Sequence, residues 1–178
     1  RKSWRLPLRR DSTMELKPLH KNAIPTCLEK ARHYRLLNDP QNAESICLDI
    51  IELQPDHQGA LITLILSLTD QFDGGTGCIR NAKQILDRLT GEYDRAYHSG
   101  LILERAARAA LARNTPDSNY AAHDWLREAM QHYEKAESLS ADDNDDAILR
   151  WNACTRTIAK RDLKPRPADH YMQPYGDS

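Results

Sequence analysis

Apolar positions recur along this chain at helical intervals. From Asn22 to Leu37 the apolar or small residues are Ile24, Cys27, Leu28, Ala31, Tyr34 and Leu37. That is the i, i+3, i+4, i+7 stripe of an amphipathic helix. Asn38-Asp39-Pro40 interrupts it. Asp39 suits an N-cap and Pro40 a first helical position, so a second helix is predicted at once. It carries Ala43, Ile46, Cys47 and Ile50 and stops before Pro55. A third, from His57 to Gln71, is apolar nearly all round and is predicted to be the most buried. Phe72 to Gly77 reads as a loop. The fourth helix runs to Leu89 through Ile79, Ala82, Ile85 and Leu86. The fifth spans Tyr93 to Arg113, where Ala106, Ala107, Ala109 and Ala110 predict close helix packing. Asn114 to Ser118 is a turn. The sixth helix spans Asn119 to Leu139 and the seventh Asp143 to Ala159, with an acidic turn at Asp142–Asp146. Pro165, Pro167 and Pro174 mark an irregular end.

Composition sharpens this reading. Among the 178 residues there is no valine and one phenylalanine. Alanine and leucine dominate the apolar set, which suits helices and nearly excludes a sizeable sheet. The expected fold class is therefore all-α, with about seven antiparallel helices. The expected organisation is a basic tail over 1–21, a helical domain over 22–160 and a Pro-containing tail over 161–178. The basic start lacks the apolar segment of a secretory signal. The longest apolar run, Ala60 to Leu68, is too short for a membrane span. A formal net charge of −1 gives no global field for nucleic acid. Cys27, Cys47, Cys78 and Cys154 are dispersed without a C-x-x-C pair, so they are read as reduced thiols of a cytoplasmic protein.

A repeat organises the pattern. In the first hairpin Ala31 is followed by Tyr34, Ala43, Cys47 and Pro55. Residues 22–160 thereby resemble a tetratricopeptide repeat (TPR) array of about three divergent repeats plus a capping helix. Cys27 and Lys30 depart from the family's large-residue and leucine slots. The second unit has Leu61, Leu64, Ile65 and Leu68, then Ala82, Leu86 and Leu89, with an insertion at Phe72–Gly77. The third has Tyr97, Gly100 and Leu103, then Ala129, Tyr133 and Ala136, with extra residues at Arg113–Tyr120. Ile148, Trp151, Asn152 and Thr155 look like half of a fourth unit, serving as the cap.

The resemblance implies an α-solenoid whose first helices line a concave groove for a partner peptide or helix. It assigns to that groove Leu28, Arg32 and Arg35, then Ile62, Leu66 and Thr69. Tyr97, His98, Leu101 and Arg105 follow, and last Leu149, Arg150 and Arg156. Arginines and an aromatic there favour an acidic or carboxylate-bearing segment. The family groove that grips a chaperone's C-terminal carboxylate uses Lys and Asn. Its slots here hold Leu28, Arg32 and Thr63, so that specificity is not carried over. Tyr171, Met172 and Tyr175 could fold back over the array.

Catalytic and cofactor signals are sparse. There is no G-x-S-x-G, H-E-x-x-H or phosphate-loop Lys. Asp73-Gly74-Gly75-Thr76-Gly77 lacks a preceding strand and reads as a turn. Asp142 to Asp146 fails as a calcium loop, with Ala147 at the glycine position and Ala153 at the twelfth, and reads as helix capping. No catalytic, metal or cofactor residue is expected. Trp125 and Trp151 are expected in the core. The leading reading is a non-catalytic adaptor or scaffold. The alternative is a self-assembling structural subunit, a homo-oligomer joined through the outer face of the last helix. A remote third is an enzyme using His98, Glu104 or His132.

Overall fold

The computed structural model describes residues 15–72 and 77–167, with the backbone alone at 77 and 78. Among the described residues there are seven α-helices and no strand. They are α1 (Ile24–Leu36), α2 (Pro40–Leu53), α3 (Gln58–Thr69), α4 (Gly77–Leu86), α5 (Glu92–Arg113), α6 (Ser118–Ser138) and α7 (Asp146–Arg161). A 3-10 turn, Lys21–Ala23, leads into α1. Each helix packs on the one before and the one after it, α1 also packs on α3, and α3 on α5.

Local chemistry sets the first reversal. Asn38 takes a positive φ of 59°, which asparagine tolerates. Its N–H donates to the Arg35 carbonyl, and the Asp39 N–H donates to that of Tyr34. This pair of bonds is a Schellman ending. It delivers Asp39 to the start of α2, where its carboxylate accepts from the Asn42 N–H at 3.3 Å. The same ending closes α7. Asp162 has φ 49°, its N–H donates to Ala159, and the Leu163 N–H donates to Ile158. The motif's hydrophobic partner is Leu163, which is buried in the α5–α7 core. The packed region therefore continues past the boundary expected at residue 160.

Two helix ends differ from expectation. Helix α4 stops at Leu86 rather than Leu89, because the Arg88 and Leu89 N–H groups form tighter i→i−3 bonds. Leu89 still reaches the core. The side chain of Gln58 accepts from the Thr90 N–H at 2.9 Å and donates to the Arg88 carbonyl at 3.3 Å, joining this turn to α3. Helix α7 starts at Asp146, not Asp143. The Asn144 side chain takes the Asp146 N–H at 3.1 Å. The N-cap residue, Asp145, makes no side-chain cap bond, so the Asn144 amide oxygen is the side-chain acceptor at this turn.

Three apolar clusters form the interior. One runs through α1 to α5 and includes Ala31, Ala43, Leu64, Ile65 and Ile102. Another joins α5, α6 and α7 through Ala107, Leu126, Tyr133 and Cys154. A third closes the α1–α2–α3 end around Leu28 and Ile50. Trp125 packs against the first two, and Trp151 packs against the second while its indole N–H donates to Glu134 at 3.0 Å. Helix α3 is buried nearly all round. The alanines of α5 divide between two clusters, so this helix is the spine.

Helix α6 comes close to the spine at Gly100. A Cβ there would lie 2.8 Å from the Tyr133 ring. Gly→Ala inside a helix ordinarily stabilises by about 0.5–1 kcal/mol. Here overpacking is expected to reverse the sign, with Gly100→Ala destabilising the protein by about 1–3 kcal/mol. A denaturant midpoint for the variant at or above wild type would contradict this packing.

Candidate functional site

Polar chemistry gathers in two networks, one joining α1, α3 and α5 and the other joining α5, α6 and α7. Asp70 caps the end of α3 and is held from two helices. Arg35 of α1 donates through Nε to its Oδ2 at 2.8 Å. Arg105 of α5 pairs with its Oδ1. The same Arg105 nitrogen donates to the Thr69 hydroxyl at 2.7 Å and the Leu66 carbonyl at 3.3 Å. It thus serves a terminal carbonyl of α3. Burial lowers the pKa of Arg105, and Asp70 opposes that shift.

A second network lies one residue along α5. The Glu104 side chain is buried, 6% exposed. It accepts from the Tyr133 hydroxyl of α6 at 2.7 Å, from Arg108 at 3.1 Å and from Arg150 of α7 at 3.4 Å. The Arg150 Nε donates to the Tyr97 hydroxyl at 3.4 Å. Burial works against the Arg150 charge, but Tyr97 and Glu104 outweigh it and raise its pKa. Burial, then Glu104, pushes the Tyr133 pKa up and keeps the phenol protonated. Tyr93 stacks on Tyr97 at 5.8 Å between centroids, and Tyr97 tilts against Tyr133 at 5.8 Å.

The two networks hold four guanidinium groups and two carboxylates, an excess of two positive charges. Beside them is a cleft of about 300 Å³ lined by Arg35, Arg105, Arg108, Asp70, Leu36 and Phe72. A second cleft of about 290 Å³ lies between α4, α5 and α6, with Lys83, Asp87, Arg95, Glu128 and His132 on its wall.

The expected groove residues divide four ways. Arg35, Thr69, Arg105, Arg150 and Tyr97 meet in the networks just described. Ile62 and Leu66 are half-buried. Arg32, Leu149 and Arg156 are exposed, with Arg32 bound to Glu29 at 2.7 Å. Leu28, His98 and Leu101 are a correction: they are buried and offer no surface to a partner. Leu28 packs with Ile50 and Ala60 at the α1–α2–α3 end. The His98 ring donates through Nδ1 to the Asp94 carbonyl at 2.8 Å. Asp70, Arg108 and Tyr133 are site residues that the spacing did not single out. The Glu104–Arg108 pair had a signal, since i, i+4 places them on one helix face.

Cys47 and Cys154 are buried, and burial pushes both thiols up to about 12. They are protonated and poor nucleophiles. Among the described residues no group of three His, Cys, Asp or Glu could hold a metal, and no helix is long and apolar enough to cross a membrane. Residues 73–76 of the glycine-rich stretch and the side chain of Cys78 fall outside the description, as do Tyr171, Met172 and Tyr175.

Removing Glu104 leaves the buried Tyr133 hydroxyl without its acceptor and Arg150 without its carboxylate. Glu104→Ala is expected to destabilise the protein by about 1–3 kcal/mol and to speed amide exchange in α7. Glu104→Gln should recover part of the loss, and a wild-type denaturant midpoint for the alanine variant would contradict the network. Burial lowers the His98 pKa below 6.5. The unfolded chain then takes a proton that the folded chain refuses, so stability holds above pH 6.5 and falls below it. His98→Gln should shrink the fall in denaturant midpoint between pH 7.5 and 5; an unchanged fall assigns it elsewhere. No protein-family model, curated protein or solved structure matches this chain.

Proposed function

We propose that the chain is a non-catalytic adaptor that holds an acidic segment of a partner protein. The helices would form a TPR-like solenoid whose face of α1, α3, α5 and α7 is the docking surface. Packing of α1 on α3 and α3 on α5, beside the sequential hairpins, supports that arrangement. Small buried residues at Ala31 and Ala43, where the first hairpin closes, support it too.

The observation that carries the reading is the line of guanidinium groups from Arg35 through Arg105 and Arg108 to Arg150. Their carboxylate partners neutralise half of the charge. Such a surface attracts an acidic chain and repels a basic one. Its arginines form planar donor forks suited to carboxylate oxygens. Cys27, Cys47 and Cys154 are free thiols, which fits a reducing cytoplasm.

The test uses exposed charges, because Arg105 and Arg150 also hold helices together. Arg32 and Arg108 are 52% and 73% exposed. In affinity capture from lysate, Arg32→Glu/Arg108→Gln is expected to lose a partner that wild type retains. Its circular dichroism and thermal midpoint should stay near those of wild type. Capture of the same partners by both forms would refute this docking surface.

A further inference from the structure

We infer that the cleft between α1, α3 and α5 binds a phosphoryl group carried on a serine or threonine side chain of the partner. The inference rests on the adaptor reading and names the group that the surface selects. Among the described residues three guanidinium groups line the cleft, Arg35 from α1 with Arg105 and Arg108 from α5, against one lining carboxylate, Asp70. The described lining is therefore two positive, with Glu104 behind it shared between Arg108 and Arg150. A carboxylate would neutralise one of these charges. A phosphoryl group carries about 1.5 to 2 negative charges near neutral pH and has three acceptor oxygens.

The donor inventory points the same way. Arg35 reaches Asp70 through Nε alone. Arg105 spends Nη1 on Asp70, Thr69 and Leu66. Arg108 spends Nη2 on Glu104. Among the described residues the remaining nitrogens of these three side chains have no protein acceptor. They come from two helices and line one cleft. A carboxylate brings two acceptor oxygens to these donors, whereas a phosphoryl group brings three in a tetrahedral arrangement and more charge. Asp70 bonds both Arg35 and Arg105 and so holds their guanidinium groups in place before a ligand arrives.

Two neighbours narrow the class. Leu36 is 85% exposed on the rim of the cleft and offers apolar contact to a residue flanking the phosphorylated side chain. Nucleic acid would need bases to stack on exposed rings. Here Tyr93, Tyr97 and Tyr133 pack on one another, and Tyr133 is fully buried. The second cleft lacks the charge excess, since Asp87 and Glu128 match Lys83 and Arg95. Arg95 there is also committed to the Leu89 carbonyl at 2.6 Å.

The experiment follows arginine Nε–H resonances of the full chain by NMR. The probes are N-acetylphosphoserine amide and N-acetylglutamate amide. The phosphoserine probe is expected to shift Arg35, Arg105 and Arg108 and to bind at least about tenfold tighter than the glutamate probe. Its affinity should fall on acidification through its second pKa of about 6. Arg108→Gln should weaken it at least about fivefold with only a small fall in thermal midpoint, since the arginine side chain is exposed and Tyr133 and Arg150 still bond Glu104. Equal binding of both probes, no shift with phosphoserine, or binding that survives Arg108→Gln and Arg35→Gln would each overturn the assignment. The adaptor reading is judged separately. A negative titration with the capture difference intact refutes the phosphoryl site alone. A positive titration without that difference refutes the adaptor alone.

Discussion

A single buried carboxylate, Glu104, constrains the second half of this molecule. Removing a charge from water costs several kcal/mol unless donors replace the lost hydration. Three donors do so here: Tyr133 from α6, Arg150 from α7 and Arg108 from α5 itself. Each constrains an element. Tyr133 can lie close to α5 because Gly100 has no Cβ in its way. Arg150 fixes the side of α7 that faces the spine. The last helix is thus joined by a charge network as well as by the apolar contacts of Ala147, Cys154 and Leu163.

Asp70 does the same at the other end. It gathers Arg35 of α1 and Arg105 of α5 where α3 stops. Consecutive helical residues point about 100° apart, from 3.6 residues per turn. Glu104 and Arg105 can therefore address opposite neighbours from one helix, α6 and α7 on one side and α3 on the other. Each carboxylate draws two arginines. The positive excess on this face is the outcome of solving two local problems with more cation than anion.

The helices were legible because their signals are local. Asp39 and Pro40 mark the start of α2 by direct chemistry, and the apolar positions of α3 leave no polar face. The ends of α4 and α7 were less legible. They depend on which amide group wins the last or first N–H, as with Asn144. The site was readable as residue types and not as partnerships. Arginines on α1, α5 and α7 could be placed on one side by register. Tyr133 and Glu104 are 29 residues apart, and no spacing rule joins them. Leu28, His98 and Leu101 fell on the expected groove by register, yet they lie buried. How far a face turns toward solvent depends on the neighbouring helix, which periodicity does not contain.

The same networks decide what kind of ligand the surface can take. A partner that pulled Arg150 or Arg105 from its carboxylate would give up an internal charge-assisted hydrogen bond, at a cost of about 1.5–3 kcal/mol. That would cancel part of the binding energy of a micromolar contact, about 8 kcal/mol. A ligand must therefore add to the internal pairs and use nitrogens they leave over. Arg108, with its side chain 73% exposed, is the most accessible of these. Bulk negative charge alone selects weakly under this constraint, because screening reduces it within about 8 Å at physiological salt. Discrimination then comes from how many of the leftover donors one anion can reach at once, a property of the anion's shape as much as of its charge.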